Sequence, residues 1–250
     1  MTHSDIAILF DLDGTLIDSS ADLACAANGM LSRLNLPSVT DGEVEGWIGH
    51  GVTQLVHRCL TRSFDQAAEP VLAETGLAFF REAYLETGFT STRLLPGARE
   101  LLQALRPAGY RIGLVTNKDH IPTAAVLKAL QLDQAFDLVV CGDTLEVRKP
   151  DPAPLRHALA SLGASRGWMV GDSETDARSS LAAGLPFMVV KGGYGLPIER
   201  HQLSGPPALI LESLSELLDA FRFVGNLENW MNVHGLRHIE ANPKGSEDVR

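Results

Sequence analysis

Asp11-Leu12-Asp13-Gly14-Thr15 places two carboxylates one residue apart, directly after the apolar run Ile6 to Phe10. At the carboxyl end of a buried strand such a pair faces the crevice where open α/β sheets build their sites. Carboxylates there can serve as nucleophile, proton carrier or metal ligand. An Asp-Gly turn with a helix cap at Asp18 or Ser19 would explain the same residues more simply. Three further segments, in order along the chain, weigh against that simpler reading. Gly113-Leu114-Val115-Thr116-Asn117-Lys118 ends an apolar run in a hydroxyl and an amide. A helix start there offers free N–H groups, and the Thr116 hydroxyl can donate to an anionic oxygen, although alone the segment reads as a cap. Arg148-Lys149-Pro150-Asp151-Pro152 sets a lysine just ahead of two prolines that stiffen the chain; taken alone, it is an ordinary surface turn. In Gly171-Asp172-Ser173-Glu174-Thr175-Asp176, two aspartates follow another apolar run. Asp172 could be a plain N-cap, which leaves Asp176 unexplained.

The elements that must position these residues follow from periodicity. Strands are predicted at Ile6 to Phe10, Arg111 to Thr116, Leu138 to Cys141, Gly167 to Gly171, Pro186 to Lys191 and Ala208 to Leu211. Helical patterns at Pro96 to Arg106, Pro122 to Leu130, Ala153 to Leu162 and Glu174 to Ala183 separate most of them. That order predicts an α/β fold, a Rossmann-like parallel sheet with helices on both faces. Between Asp18 and Gly88 no strand is evident, while Leu23, Ala27, Met30, Leu31 and Leu34 recur at helical spacing, as do Leu72, Phe79, Ala83 and Leu85 less regularly. The expectation is therefore a core formed by 1–16 and 93–222, a helical insert at 17–92, and an accessory tail at 223–250 whose composition suits disorder. The glycines of Gly46 to Gly51 and of Gly192 to Gly195 lack the strand-and-helix context of a nucleotide loop and read as connections. His234 and His238 have Gly235 between them and no evident third ligand, so a metal site there is discounted.

The 250 residues are enough for one full-sized core, and no apolar run is long enough to span a membrane. A net charge of −10 disfavours nucleic acid as a partner. The 3 cysteines give neither a disulfide framework nor a zinc spacing, which points to a reducing cytoplasm.

Type, order and strand-end placement of the four segments together resemble the haloacid dehalogenase superfamily, over Ile6 to Phe221. The resemblance implies that Asp11 attacks phosphorus and that Asp13 protonates the leaving oxygen and later activates water. It further implies that Thr116 and Lys149 hold phosphoryl oxygens, that Asp11, Asp172 and the Asp13 main-chain carbonyl bind Mg2+, and that Asp176 is an outer carboxylate of that site. Physical reasoning agrees on the need for cations. Aspartates gathered at one sheet edge raise each other's pKa, and Lys149 with a magnesium ion would offset them.

The insert resembles the cap that many members of the superfamily place over the site, where it would exclude water and set specificity. A dehalogenase is disfavoured because Asp13 supplies an acid–base carboxylate. A phosphonatase is excluded because no lysine precedes Asn117 to form a Schiff base. Asp11 to Ser19, Gly46 to Leu60 and Gly192 to Gly195 look most like the phosphoglycolate phosphatase group, which implies a small phosphorylated metabolite as partner and 2-phosphoglycolate as substrate. Gly14, Asn117, His50 and Arg58 are the expected substrate-binding residues, with Arg62 and Lys118 as further candidates for reading a carboxylate. A sugar-phosphate phosphatase or phosphomutase, and a non-catalytic phosphate-ligand binding protein, are the alternatives. Oligomeric state is not legible.

Overall fold

The computed structural model describes residues 5–194 and 209–224. The chain opens with β1 (Ile6–Phe10) and the short β2 (Ile17–Asp18), followed by α1 (Ser20–Arg33), α2 (Asp41–Glu45), α3 (Val52–Thr61) and α4 (Pro70–Glu86). It continues through β3 (Arg93–Leu94), α5 (Ala98–Leu105), β4 (Arg111–Val115), α6 (His120–Ala129), β5 (Leu138–Val140) and α7 (Ala153–Leu162). β6 (Arg166–Gly171), α8 (Glu174–Ala183), β7 (Phe187–Val190), β8 (Leu209–Leu211) and α9 (Leu214–Val224) complete it.

Six strands pair in the order β5-β4-β1-β6-β7-β8, all parallel. β1 is central because both of its faces are apolar. Ile6, Ile8 and Phe10 enter the larger core, which includes Leu101 and Leu105 of α5, while Ala7 and Leu9 pack with Leu155 and Ala158 of α7. Such two-sided burial is what makes a parallel strand read as an unbroken hydrophobic run. Strand order runs outward from β1 in both directions, so the carboxyl end of β1 lies at the point where the topology reverses.

The chain leaves and re-enters this layer through a two-stranded antiparallel ribbon, with Ile17 opposite Leu94 and Asp18 opposite Arg93. Between these strands α1 packs on α4, burying Leu23, Ala27, Met30 and Leu31 from one side and Gly76, Phe80, Ala83 and Tyr84 from the other. Gly76 permits the close approach, since a Cβ there would stand 3.3 Å from Leu60 and Val56 and 3.4 Å from Met30 Sδ. Of the residues whose spacing suggests this helix, Ala83 is buried and Phe79 packs partly buried against the core, but the deepest contacts fall on positions that spacing omits. Phe80 and Tyr84 point inward, and Leu85 is 43% exposed.

α9 lacks a counterpart among the predicted helices, although Leu214, Leu217 and Leu218 are buried on one face against the core. The expected tail starts inside it, because Phe223 and Val224 belong to α9. The rest of the tail, with His234 and His238, lies outside the described residues, as do Gly195 and Ala208. Among the described residues no helix is long and apolar enough to cross a membrane.

Candidate active site

β1, β4 and β6 end at Phe10, Val115 and Gly171, and their parallel register, with Phe10 beside Leu114 and Val170, sets the residues that follow along one edge of the sheet. Asp11, Thr116 and Asp172 are those residues, and all three are buried. Lys149 reaches them from the loop before α7. Its Nζ lies 2.9 Å from Asp11 Oδ1 and 2.6 Å from Asp176 Oδ1, with 2% of the side chain exposed. Burial alone would drive that ammonium toward neutrality, but the Asp11 and Asp176 charges outweigh it and hold Lys149 above its ordinary range. Asp11 moves the other way. Burial pushes its carboxyl up to about 7 against the pull of Lys149, and the Asp176 and Asp13 charges add to the rise.

The remaining carboxylates are each fixed by named donors. Asp13 accepts from Ser19 Oγ at 2.5 Å and from Lys118 Nζ on both oxygens, at 2.8 and 2.9 Å. Asp172 accepts from Thr15 Oγ1 and from the Tyr194 N–H, each at 2.9 Å. A Cβ on Gly14 or on Gly193 would overlap the Asp172 carboxylate, so these two glycines form its cradle. Asp176 closes a capping box at the start of α8: the Ser173 N–H donates to its Oδ2 at 3.2 Å, its own N–H donates to Ser173 Oγ at 3.3 Å, and the Ser173 hydroxyl adds a bond to Oδ2 at 2.6 Å.

One carboxylate oxygen from each of Asp11, Asp172 and Asp176 lies within 4.8 Å of the others, and all three residues are buried. Oxygen donors alone, with one ammonium among them, suit a hard divalent cation such as Mg2+. Both oxygens of Asp176 accept hydrogen bonds, from Lys149 and Ser173, as do both of Asp172, from Thr15 and Tyr194; Asp172 differs in that its donors are neutral, whereas Asp176 is tied to the ammonium.

Asp11, Asp13, Thr116 and Lys149 line a cavity of about 370 Å³ from the sheet edge. Leu23, Ile48, Val52, Leu55, Phe80 and Tyr84, all from α1 to α4 and their connections, supply an apolar wall. The wall is tied to the sheet layer by Arg81 of α4, half-exposed, which pairs with Asp119 at 2.6 Å. It is tied again by Lys118, whose Nζ stands 4.7 Å from the centroid of the Tyr84 ring.

Several expected substrate contacts lie elsewhere. Gly14 donates its N–H to the Ile17 carbonyl at 2.8 Å and packs on Asp172, so it shapes a turn with φ +88° and offers no donor to a substrate. Arg58 is buried behind the wall. Its Nη1 donates to the Trp47 carbonyl at 2.8 Å, and its guanidinium covers the Phe64 ring at 4.6 Å. His50 is exposed, with Nδ1 3.3 Å from Arg58 Nη1, and neither residue lines the cavity. Arg62 pairs with Glu43 at 3.1 Å on the outer surface. Asn117 does line the cavity, but its Nδ2 donates to the Lys149 carbonyl at 2.9 Å, and its Oδ1 is buried without a partner.

Sequence reasoning left out the parts played by Thr15, Ser19, Arg81 and Tyr194. Ser19 is the N-cap of α1 but makes no side-chain cap bond, because its hydroxyl turns to Asp13. Tyr194 accepts from the Ser20 N–H at 3.0 Å and donates to Asp18 at 2.8 Å, closing the turn after β7 onto the start of α1.

Residues 8–190 match the family model described as haloacid dehalogenase-like hydrolase. A protein named phosphoglycolate phosphatase from Cupriavidus necator is 40% identical over 216 residues, covering 86% of this chain and 90% of its own length. Another of that name, from Nitrosospira multiformis, is 40% identical over 190 residues, covering 75% and 84%. Among solved structures, a predicted phosphoglycolate phosphatase from Haemophilus somnus superposes with a TM-score of 0.78 at 30% identity, covering 88% of this chain and 98% of that one. CbbY from Rhodobacter sphaeroides in complex with phosphate superposes with a TM-score of 0.69 at 26% identity, covering 87% and 96%.

Proposed function

The chain belongs to the haloacid dehalogenase-like hydrolase family and is a phosphatase, and from that premise we propose that it hydrolyses small phosphomonoesters, 2-phosphoglycolate first among them, through a phosphorylated Asp11. The observation that carries the reading is the gathering of Asp11, Asp13, Thr116 and Lys149 from three separate segments around one cavity, with Asp172 of a fourth segment buried within 4.8 Å of Asp11 beneath it. The names of the relatives support the choice of substrate.

In the reaction we assign, Lys149 holds Oδ1 of Asp11, and Oδ2 attacks phosphorus. The bond from phosphorus to the ester oxygen breaks, and Asp13 gives that oxygen a proton as it leaves. Asp13 then takes a proton from water, the water oxygen attacks phosphorus, and the bond to Asp11 breaks to release inorganic phosphate and restore the carboxylate. Thr116 and Lys149 donate to the phosphoryl oxygens, fixing them in line with the attack. Asp11, Asp172 and the Asp13 carbonyl would hold a magnesium ion, which when bound would supply positive charge between the two anions. Residues 17–92 act as the cap, and their apolar wall excludes bulk water from the phosphorylated carboxylate.

Product analysis separates a hydrolase from a mutase. A panel of phosphorylated metabolites assayed with magnesium and with excess chelator tests the reading. Free phosphate should match substrate consumed, 2-phosphoglycolate should give the highest kcat/KM, and chelator should abolish turnover. Isomerised sugar phosphate without phosphate release would favour the mutase, and full turnover in chelator would remove the metal from the account.

A further inference from the structure

His50, Arg58 and Arg62 are outside the lining of the cavity, and among the described residues three cations line it: Lys149, Lys118 and Arg81. Lys149 is committed to Asp11 and Asp176, at the phosphoryl end. Arg81 is half-exposed and paired with Asp119. Lys118 alone is both fully enclosed, with 7% of its side chain exposed, and in direct contact with the carboxylate assigned to the leaving group, Asp13.

We propose that Lys118 is the residue that reads the substrate's carboxylate, making it the specificity-determining cation of this site for phosphomonoesters with an anionic group next to the ester oxygen. The inference rests on the reading that 2-phosphoglycolate is a substrate and that Asp13 faces its leaving oxygen. Distance carries it. A proton transfer from Asp13 requires the ester oxygen within about 3 Å of an Asp13 oxygen, and Lys118 Nζ stands 2.8 and 2.9 Å from those same oxygens. In phosphoglycolate the carboxylate carbon is two bonds from the ester oxygen, so an ester oxygen seated on Asp13 brings the carboxylate into the reach of Nζ. An ammonium has three donors. Two are directed at Asp13, and the third can be given to a substrate oxygen without releasing it.

The surroundings suit an anion at that point. The wall around Lys118 is apolar, so a carboxylate entering it loses its water and must be paired to stay there. The Tyr84 hydroxyl, 3% exposed as a residue and on the same wall, is buried without a hydrogen-bond partner. The Tyr84 ring rests against the ammonium, with Nζ 4.7 Å from its centroid. A neutral hydroxymethyl in place of the carboxylate would forgo the charge-assisted bond, which is the stronger of the two kinds.

The test compares kcat/KM for 2-phosphoglycolate and for 2-hydroxyethyl phosphate, which differs only at the carboxylate, in the magnesium-loaded full chain. Wild type, Lys118→Met, Lys118→Arg and Arg81→Met are measured. Any effect of Lys118 transmitted through Asp13 lowers both substrates alike and cancels from the ratio, so the ratio isolates recognition. We expect the wild-type preference for phosphoglycolate to fall at least thirtyfold in Lys118→Met, mostly through KM, to return in part in Lys118→Arg, and to survive in Arg81→Met. A preference unchanged in Lys118→Met, or lost in Arg81→Met instead, overturns the assignment of Lys118 while leaving the substrate in place. A wild type with no preference for phosphoglycolate overturns the substrate reading and the inference together. Should Lys118→Met fail to fold, Lys118→Gln gives the same comparison: a fall in the ratio supports the assignment, and an unchanged ratio overturns it.

Discussion

Asp11→Asn is expected to make the metal-free chain more stable while abolishing its activity. In the folded chain the Asp11 carboxyl is raised from 3.8 to about 7, chiefly by burial. At about 1.4 kcal/mol per tenfold change in proton affinity, that rise corresponds to about 4 kcal/mol of strain in keeping Asp11 ionised above pH 7. Asparagine has nearly the same shape and no charge to desolvate, so it should recover about half of this once the weaker bond to Lys149 is counted. The sign follows from the proton balance. Between the unfolded value of 3.8 and the folded value of about 7, the folded chain binds the extra proton, and wild-type stability falls as pH rises through that window. The variant's advantage should therefore be about 2 kcal/mol at pH 8 and shrink toward zero near pH 4. Urea unfolding of both chains in chelator at the two pH values measures it. Saturating magnesium should reverse the order, since a ligand present at a hundredfold its Kd adds about 2.7 kcal/mol to the chain that retains both ligating aspartates. An Asp11→Asn chain less stable than wild type at pH 8 in chelator would refute this electrostatic reading of the site, for it would mean that the pull of Lys149 outweighs burial.

Gly14→Ala should cost more than tenfold in kcat/KM, over about 1.4 kcal/mol of barrier, and raise the magnesium concentration needed for half activity, because its Cβ meets the Asp172 carboxylate at φ +88°; circular dichroism should show the fold retained. Asp176→Ala removes one of the two carboxylates on the buried Lys149 together with the α8 capping box, and should lower stability by about 3 kcal/mol in thermal or urea unfolding. Tyr194→Phe leaves the amides of Ser19 and Ser20 without their shared acceptor, and unfolding should report a loss of about 2 kcal/mol.

What was legible in the sequence divides along physical lines. The six parallel strands could be read because two-sided burial makes each a short apolar run, and Asp11, Thr116 and Asp172 could be placed because each follows such a run directly. β2 and β3 were not legible, since each is two residues long and their pairing joins residues far apart in the chain. α9 has a signal in the spacing of Leu214, Leu217 and Leu218, but it is short and runs straight into the polar tail. In the cap, residue type alone does not say what a polar side chain is used for. His50 and Arg58 are polar residues near glycines, but the guanidinium of Arg58 is used to satisfy the Trp47 carbonyl and to cover Phe64. No local pattern distinguishes that use from substrate binding. Arg81 gave no signal because its partner Asp119 comes from another element, and Lys118 could be named but not ranked until its contact with Asp13 was visible.

The central claim, that Asp11 carries the phosphoryl group, is tested most directly by trapping it. Asp13→Asn should slow the attack of water, and an aryl phosphate needs little help from a proton donor to leave, so the covalent species should accumulate in that variant with magnesium present. After acid quench and proteolysis, mass spectrometry should find one HPO3 added to the peptide that contains Asp11, and the addition should vanish when Asp11→Asn is introduced as well. A phosphoryl group on any other residue, or phosphate released at the wild-type rate with no adduct at Asp11, would contradict the account.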